Sequence, residues 1–353
     1  MNSGKTCVIG LMSGTSLDGL DLIYLEFDKN NHTNFTIKHS ETVSYSSFWM
    51  ECLEKANLKS KDELILLDNA YGELLSRKVN DFINKNKLTH VDFIASHGHT
   101  VLHQPQNGIT LQIGNGQVLS DKTSTMVVCD FRTQDVKLGG QGAPLVPIGD
   151  EKLFSKYDAC LNLGGFANIS YNDFGNRIAY DVCPVNIVLN YYTRKEGKNF
   201  DYHGEMAKSG TVNYPLLEKL NALVYYEQNY PKTLGLEWVQ QNVFPLLDIE
   251  ERNVFNVLRT FVEHVAIQLA KSLEGKSTVL VTGGGAFNRY LIERLKDYCS
   301  SEIIIPNDQL VNFKEALIFA YLGLLRIENK VNCLQSVTGA IKDHCSGEIF
   351  IPQ

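Results

Sequence analysis

The sequence lacks the long apolar runs and the basic charge that would link it to a membrane or a nucleic acid. No stretch approaches the roughly 18–20 uninterrupted apolar residues of a membrane helix. The start, Met1–Gly10, has one lysine and too short an apolar run for a signal peptide. Lys and Arg number 33 against 40 Asp and Glu, a net charge of −7, whereas nucleic acids and anionic lipid surfaces need a basic face. We therefore expect a cytoplasmic protein that binds neither.

Cysteine pairs and flexible linkers are also missing. The eight cysteines are scattered with no C-x-x-C spacing, and several lie in apolar runs, which is typical of reduced structural thiols. No low-complexity tract or Pro/Ser-rich linker interrupts the 353 residues, a length that suits two domains of roughly 100–200 residues each. A domain boundary must therefore be a compact hinge.

Apolar strands and amphipathic helices alternate along both halves of the chain, which predicts an α/β fold. In the first half the pattern predicts strand–turn–strand over 8–27, a helix over 63–82, and strands at 91–96, 109–113 and 126–131. It then restarts with strand–turn–strand over 159–169, a strand at 177–181, helices at 253–273, 288–298 and 313–326, and strands at 278–282 and 302–305. We predict two domains, 1–131 and 132–353, with a cleft between them. The hinge is placed between about Phe131 and Pro147, and the extreme C-terminus is a candidate to pack back on the first domain.

The most informative turn is Gly10–Asp21, which follows the first predicted strand. Two glycines allow a tight turn, hydroxyl groups add donors, and the exposed amides can form an anion-binding nest. A strand follows rather than a helix, which excludes a Walker A or Rossmann loop. The turn suits the phosphates of ATP in a hexokinase- or actin-like fold, and the alternative is a plain polar hairpin. The residues predicted to bind phosphate are Gly14, Thr15, Ser16, Leu17, Asp18, Gly19, Leu20 and Asp21.

Two further glycine-rich turns lie in the second half. Gly164 and Gly165 join two predicted strands, so one such hairpin in each half could clamp a phosphate chain. The triplet Gly283, Gly284 and Gly285 joins a strand to a helix and leaves room for an adenosine, or is simply a tight βα turn.

Three histidines at 97, 99 and 103 have the spacing H-x-H-x3-H. This spacing would suit a metal on one strand face, although no carboxylate or cysteine nearby completes the set. The other interpretations are a substrate-lining role, for His97 in particular, and ordinary histidines at a strand end.

Three charged residues are candidates for chemistry, each with a structural alternative. Arg132, after a strand near the hinge, could hold a substrate carboxylate or phosphate, or form an ion pair with Asp130. Asp181, which closes the strand at 177–180, could be a general base or a capping residue. Glu315, at the start of the last long helix, could contact substrate or only complement the helix dipole.

The sequence resembles the anhydro-N-acetylmuramic acid kinase family. The resemblance is carried, in the family's order, by the segments 10–21 (GLMSGTSLDGLD), 96–101 (SHGHTV), 130–132 (DFR), 139–147 (GGQGAPLVP), 162–169 (NLGGFANI), 283–288 (GGGAFN), 314–316 (KEA) and 337–340 (VTGA). These segments cover essentially the whole chain and are highly specific together.

The resemblance implies two actin/hexokinase-like, ribonuclease H-like domains flanking a deep cleft, and a kinase that uses ATP and Mg²⁺. Such enzymes hydrolyse the anhydro bridge of 1,6-anhydro-N-acetylmuramic acid and phosphorylate its O6, giving N-acetylmuramic acid 6-phosphate in peptidoglycan recycling. By position, residues 14–21 would bind the ATP phosphates, Asp181 would be the catalytic aspartate, and Arg132 and Glu315 would contact the sugar. Asp18 and Asp21 are candidates to touch Mg²⁺ through water. Family members are often dimers, so a homodimer is expected.

The sequence departs from the family pattern at a few positions. The family usually reads Asp-Thr-Gly-Pro-Gly/Ala-Asn at the catalytic turn, and here the turn is Asp181-Val-Cys-Pro-Val-Asn186. His99 stands where Gln is common, and Phe287 where His is common. These changes leave sugar specificity open, with another anhydro sugar such as levoglucosan as the first alternative. A catalytically silent actin-like nucleotide-binding protein is the second.

Overall fold

Two sheets with the same strand order organise the chain. The computed structural model describes residues 4–14 and 17–353. Within them, the first sheet contains β1 (Lys5–Ser13), β2 (Leu20–Asp28), β3 (Phe35–Val43), β4 (Phe93–Gln104), β5 (Ile109–Ile113), β6 (Val127–Cys129) and β12 (Glu348–Phe350). The second contains β7 (Ala159–Leu163), β8 (Phe166–Asp173), β9 (Asn176–Pro184), β10 (Thr278–Thr282) and β11 (Glu302–Ile304).

Strand pairing repeats from one sheet to the other. The orders are β3-β2-β1-β4-β6 and β9-β8-β7-β10-β11. In each, three strands form an antiparallel meander, the fourth pairs in parallel with the first, and the fifth pairs in parallel with the fourth. This is the strand order of the ribonuclease H-like fold, so the predicted fold class is confirmed.

Fourteen α-helices connect the strands of the described residues. They are α1 (Ser47–Glu54), α2 (Lys61–Lys85), α3 (Gly116–Thr123), α4 (Thr133–Lys137), α5 (Val146–Leu153), α6 (Asn186–Lys195), α7 (Glu205–Ser209), α8 (Tyr214–Asn221), α9 (Leu236–Asn242), α10 (Phe244–Glu250), α11 (Val254–Ser272), α12 (Arg289–Tyr298), α13 (Asp308–Ile327) and α14 (Gln335–Thr338). Across 4–14 and 17–353, none of these helices combines the length and apolar character of a membrane span.

The chain divides into two compact units. The first comprises the residues up to Leu153 together with Phe313–Gln353, and the second is Phe154–Asn312. The boundary expected after residue 131 falls inside the first unit, between β6 and α4. At the C-terminus, β12 pairs with β6 of that unit.

Each unit has an apolar core against its sheet. Helix α2 begins with a capping box between Ser60 and Glu63 and buries Tyr71 and Val79 in the first core. Helix α11 buries its predicted apolar stripe, including Phe261 and Val265, in the second. The predicted helices at 63–82 and 253–273 are therefore confirmed, and each buries the face that its periodicity indicated.

Two sequence-based boundaries were wrong at candidate site residues. Strand β9 continues to Pro184, so Asp181 lies inside the strand beside a register shift and does not close it. Helix α13 begins at Asp308 rather than at Phe313. Glu315 therefore lies in the second turn, beyond the first turn to which the dipole effect is confined, and the dipole explanation for it fails.

Gly10 allows β1 to lie close to α13. A Cβ at this position would be 2.4 Å from the carbonyl oxygen of Ala316. We expect Gly10→Ala to lower the free energy of unfolding by about 3 kcal/mol, the upper part of the range for overpacked sites, because a backbone atom has to move. Urea unfolding followed by fluorescence measures this change.

Gly4→Ala is the matched control, because no atom lies within 4 Å of the added methyl group. It should change the free energy by less than about 0.5 kcal/mol. Equal effects of the two substitutions would contradict the close packing of β1 against α13.

Candidate functional site

The carboxyl ends of β1, β4 and β6 lie at one edge of the first sheet, because these strands are parallel. The predicted phosphate turn follows β1, and Arg132 follows β6 directly. Thr15 and Ser16 lie outside the described residues. Later in the same turn, Gly19 packs tightly against β3. A Cβ at this position would be 2.9 Å from the carbonyl oxygen of Val43. Close packing against β3 therefore requires a glycine at this end of the turn.

Three carboxylates of the first unit interact electrostatically at this edge. Burial together with the charges of Glu315 and Asp18 raises the pKa of Asp21 to about 6, although a hydrogen bond of 2.6 Å from Thr42 Oγ1 to Asp21 Oδ1 opposes the rise. Burial also raises the pKa of Glu315, which the positive charges of Lys314 and Arg132 oppose. The structure thus brings Asp21, Glu315 and Arg132 into one electrostatic neighbourhood.

The guanidinium of Arg132 is held by two acceptors. Arg132 Nε and Nη2 lie 3.2 and 2.8 Å from His97 Nε2, and Nη1 donates to the carbonyl of Gly142 at 2.6 Å. Arginine only donates, so Nε2 of His97 must accept, and Nδ1 donates to the carbonyl of Gly98 at 2.9 Å. Burial and the charge of Arg132 hold the pKa of His97 well below its usual value. A neutral histidine therefore orients Arg132.

The alternative ion pair between Asp130 and Arg132 is not formed. Asp130 instead accepts a hydrogen bond from the backbone N–H of Thr133. A cavity at this edge is lined by Asp68, His97, Gly98, Asp130 and Thr133, among others. His97 thus lines the wall of a cavity, although both of its ring nitrogens form hydrogen bonds within the protein.

The metal interpretation of the three histidines finds no support in the parts of the chain described. His99 Nδ1 lies 3.0 Å from Ser13 Oγ, and burial lowers the pKa of His99 to about 4. His103 Nδ1 lies 3.1 Å from Thr110 Oγ1. None of the three belongs to a group of donor side chains close enough to share an ion among residues 4–14 and 17–353.

In the second unit, Asp181 is held by a segment distant in sequence. Thr233 Oγ1 and the backbone N–H of Leu234 donate to Asp181 Oδ2 at 2.8 and 2.9 Å. Burial raises the pKa of Asp181, and these two hydrogen bonds oppose the rise. The carboxylate is therefore oriented, and its pKa is raised above that of an exposed aspartate. Sequence reasoning missed Thr233 and Leu234, for which no motif gave a signal.

The two glycine-rich turns of the second unit lie together. Gly283 has φ +82°, and a Cβ there would be 2.9 Å from the carbonyl oxygen of Leu163, next to Gly164 in the other turn. Gly285 is equally confined, since its Cβ would be 2.7 Å from that of Leu163. At Gly164, Gly165 and Gly284, an added Cβ would meet nothing closer than 3.5 Å. Packing alone therefore does not require these three glycines.

Comparisons with known proteins identify the family. The profile of the anhydro-N-acetylmuramic acid kinase family matches residues 6–352. The chain belongs to this family.

Curated relatives match over nearly their whole length. The anhydro-N-acetylmuramic acid kinase of Shewanella putrefaciens is 32% identical over 97% of this chain and 98% of its own. The anhydro-N-acetylmuramic acid kinase of a second Shewanella, strain MR-4, is 33% identical over 98% of this chain and 99% of its own. A solved glycerol kinase from Plasmodium falciparum with ADP is 9% identical, with a TM-score of 0.44 over 91% of this chain and 90% of its own, a likeness too weak to bear on function.

The departures from the pattern of anhydro-N-acetylmuramic acid kinases lie largely in the core. Val182, Cys183 and Val185, in the segment that follows Asp181, are all buried in the apolar cluster of the second unit. Burial raises the pKa of the Cys183 thiol. The larger side chains of this segment therefore fill core space, which explains how they are tolerated beside Asp181.

Asp21 makes stability depend on pH in a predictable direction. Its folded-state pKa is raised from 3.8 to about 6, so its ionisation opposes folding above pH 6, and this cost disappears as the pH falls through 6 towards 4. We expect Asp21→Asn, without nucleotide or divalent ions, to be more stable than the wild type at pH 7.5 and equal to it near pH 4. Urea unfolding across this pH range measures the difference.

Asp28→Asn, on the same strand, is the control, because its effect on stability should have the opposite sign to that of Asp21→Asn. A hydrogen bond from Asn30 and the charge of Lys5 lower the pKa of Asp28. Asp28→Asn should lower the free energy of unfolding at neutral pH, and this difference from the wild type should become smaller as the pH falls. The same sign for both variants would contradict the burial of Asp21.

Replacing His97 tests its role in holding Arg132. His97→Phe keeps the packing against Phe319, whose ring centroid lies 4.6 Å away, but removes the acceptor. We expect a loss of about 1–3 kcal/mol in unfolding free energy, because guanidinium donors are left unpaired. His97→Gln supplies an acceptor oxygen and should recover most of the loss. A Gln variant no better than the Phe variant would show that the hydrogen bond is unimportant.

Proposed function

We propose that the protein uses ATP to convert 1,6-anhydro-N-acetylmuramic acid into N-acetylmuramic acid 6-phosphate and ADP, opening the anhydro bridge with water. The observation that carries this proposal is the family match over residues 6–352, together with an oriented, half-buried carboxylate at Asp181. The product would enter the recycling of cell-wall peptidoglycan.

Asp181 is the group we assign as general base. It takes a proton from a water molecule as that water attacks the anomeric carbon, and the bond from this carbon to the bridge oxygen breaks so that the oxygen leaves as the O6 alkoxide. Burial raises the pKa of this carboxyl, which makes it a stronger proton acceptor than an exposed aspartate. The donors of Thr233 and Leu234 hold Oδ2, so Oδ1 is assigned to the water.

The freed O6 then attacks the γ-phosphorus of ATP. We assign the phosphates to the turn at residues 14–21, and the second phosphate loop and the adenosine side to residues 164, 165 and 283–285. The uncrowded positions of Gly164, Gly165 and Gly284 support a close approach of ligand to backbone.

Asp18 and Asp21 are the carboxylates that would hold Mg²⁺ through water. The raised pKa of Asp21, to about 6, fits a carboxylate whose charge a cation would stabilise. Across the described residues, no three donor side chains at this edge are close enough to bind an ion directly, and Mg²⁺ commonly retains several waters. When bound with ATP, the ion would spread the charge of the phosphoryl group in transfer.

Arg132, with Glu315 beside it, is assigned to the sugar. Burial, partly offset by the charge of Glu315, lowers the pKa of Arg132 to about 10, so the guanidinium stays protonated at neutral pH. A fixed cation is what recognition of the lactyl carboxylate requires. His97 contributes by orienting Arg132.

ADP release tests the proposed reaction. Mg-ATP is supplied with 1,6-anhydro-N-acetylmuramic acid, and with levoglucosan or N-acetylmuramic acid in parallel. We expect release with the anhydro-muramic sugar alone. Preference for levoglucosan would show that the substrate is an anhydro sugar without the lactyl group. If none of the sugars causes ADP release, the kinase proposal is rejected.

Asp181→Asn tests the assigned base. The amide oxygen can still accept from Thr233 and Leu234, so the fold and ATP binding should persist, whereas kcat should fall by about 100-fold or more with the loss of general-base catalysis. Asp173→Asn is the control, because this carboxylate at the end of β8 accepts only from Tyr230 Oη among the hydrogen bonds of the described residues. It should turn over normally. Near-normal kcat in Asp181→Asn would show that another group is the base.

A further inference from the structure

Three metal-binding side chains meet in the interior of the first unit. Asp135 comes from α4, and Cys333 and His344 face each other in an antiparallel bridge, with two backbone hydrogen bonds of 3.1 Å between them. Their exposed fractions are 0%, 1% and 5%. A carboxylate oxygen, the thiol sulfur and an imidazole nitrogen of these residues all lie within 4.8 Å of one another.

The imidazole of His344 presents a lone pair to this cluster. Nδ1 lies 3.2 Å from the carbonyl oxygen of Lys342, and a carbonyl can only accept, so Nδ1 carries the proton. Nε2 of the neutral ring is therefore an acceptor. It lies 3.5 Å from Asp135 Oδ1 and is buried without a hydrogen-bond partner among the described residues. Two facing acceptors require a proton or a cation between them.

The carboxylate of Asp135 accepts hydrogen bonds from neutral donors. Oδ1 accepts from Cys333 Sγ at 3.1 Å and from Thr338 Oγ1 at 2.7 Å, and Oδ2 accepts from the N–H of Gly142 at 2.6 Å. No Lys or Arg within 4–14 and 17–353 forms an ion pair with it. Fully buried carboxylates are generally paired with a cation or bound to a metal.

We propose that Asp135 Oδ1, Cys333 Sγ and His344 Nε2 bind one divalent transition-metal ion of the zinc type. A sulfur, a nitrogen and an oxygen donor are the ligands that Zn²⁺ takes in proteins. The hydrogen bond from His344 Nδ1 to a backbone carbonyl is the usual device that orients a metal-binding histidine. A carboxylate and a thiolate balance the two charges of the ion, so the buried site is neutral.

Metal binding would release one proton. Cys333 Sγ donates a hydrogen bond to Asp135 Oδ1, so the sulfur carries its proton when no ion is bound. The incoming ion replaces this proton on sulfur, and the proton passes to solvent.

The proposed ion would stabilise the surroundings of Arg132. Helix α4 begins at Thr133, directly after Arg132, and Asp135 Oδ2 also holds Gly142, whose carbonyl accepts from Arg132 Nη1. The site is therefore structural. It does not depend on the substrate proposed for the enzyme.

Cobalt(II) titration of the full-length, chelator-treated protein tests the proposal. We expect one equivalent to bind, with visible d–d bands and a near-ultraviolet thiolate-to-cobalt charge-transfer band, and Zn²⁺ to displace it. One proton should be released per ion in a weakly buffered solution with a pH indicator. Absence of the charge-transfer band in the wild-type protein would overturn the proposal and leave an imidazolium–carboxylate ion pair.

Two variants assign the ligands. Cys333→Ser should abolish the charge-transfer band and weaken metal binding by more than about 100-fold, beyond the 10–100-fold typical of outer groups, and His344→Gln should weaken it similarly. Cys345→Ser, which changes the neighbouring thiol, should keep the band. Retention of the band in Cys333→Ser, or its loss in Cys345→Ser, would contradict the assignment. If Cys333→Ser fails to fold by circular dichroism, the wild-type spectrum decides alone.

Discussion

Parallel strand pairing decides where the polar residues of each unit meet. In the first sheet β4 pairs in parallel with β1 and β6, so the segments that follow β1 and β6 leave the sheet at one edge, and Asp21, Glu315 and Arg132 come within electrostatic reach. In the second sheet β7 and β10 are parallel, which places Gly164 beside Gly283. One repeated strand order thus builds two polar edges from segments far apart in sequence.

Burial then sets the chemistry of these edges. It makes the carboxyl groups of Asp21 and Asp181 harder to ionise and keeps His97 neutral, so that a histidine next to an arginine accepts rather than repels. In each case a hydrogen bond also orients the group whose pKa burial has shifted. Asp181 thereby combines basicity with a defined orientation, the two properties that proton abstraction from water requires.

Local patterns predicted most of the strands, though not β3 and β12, and also the long helices and the glycine turns, because these depend on periodicity and on backbone freedom. They failed where a distant segment decides the outcome. The antiparallel partner β8 extends β9 past Asp181, and α13 begins five residues before the predicted start. Likewise, no local signal connected Thr233 with Asp181, Gly142 with Arg132, or Cys333 with His344. The sequence was enough to name candidate residues, but their hydrogen-bond partners could be identified only from the fold.

The central claim is that Asp181 directs water to the sugar and that the freed O6, not water, accepts the phosphoryl group. Turnover of 1,6-anhydro-N-acetylmuramic acid and Mg-ATP in ¹⁸O-labelled water tests it most directly, by mass spectrometry of the quenched products. The account predicts one heavy oxygen on the anomeric carbon and none in the phosphoryl group of the sugar 6-phosphate. Heavy oxygen in inorganic phosphate, with the anhydro sugar unchanged, would contradict it.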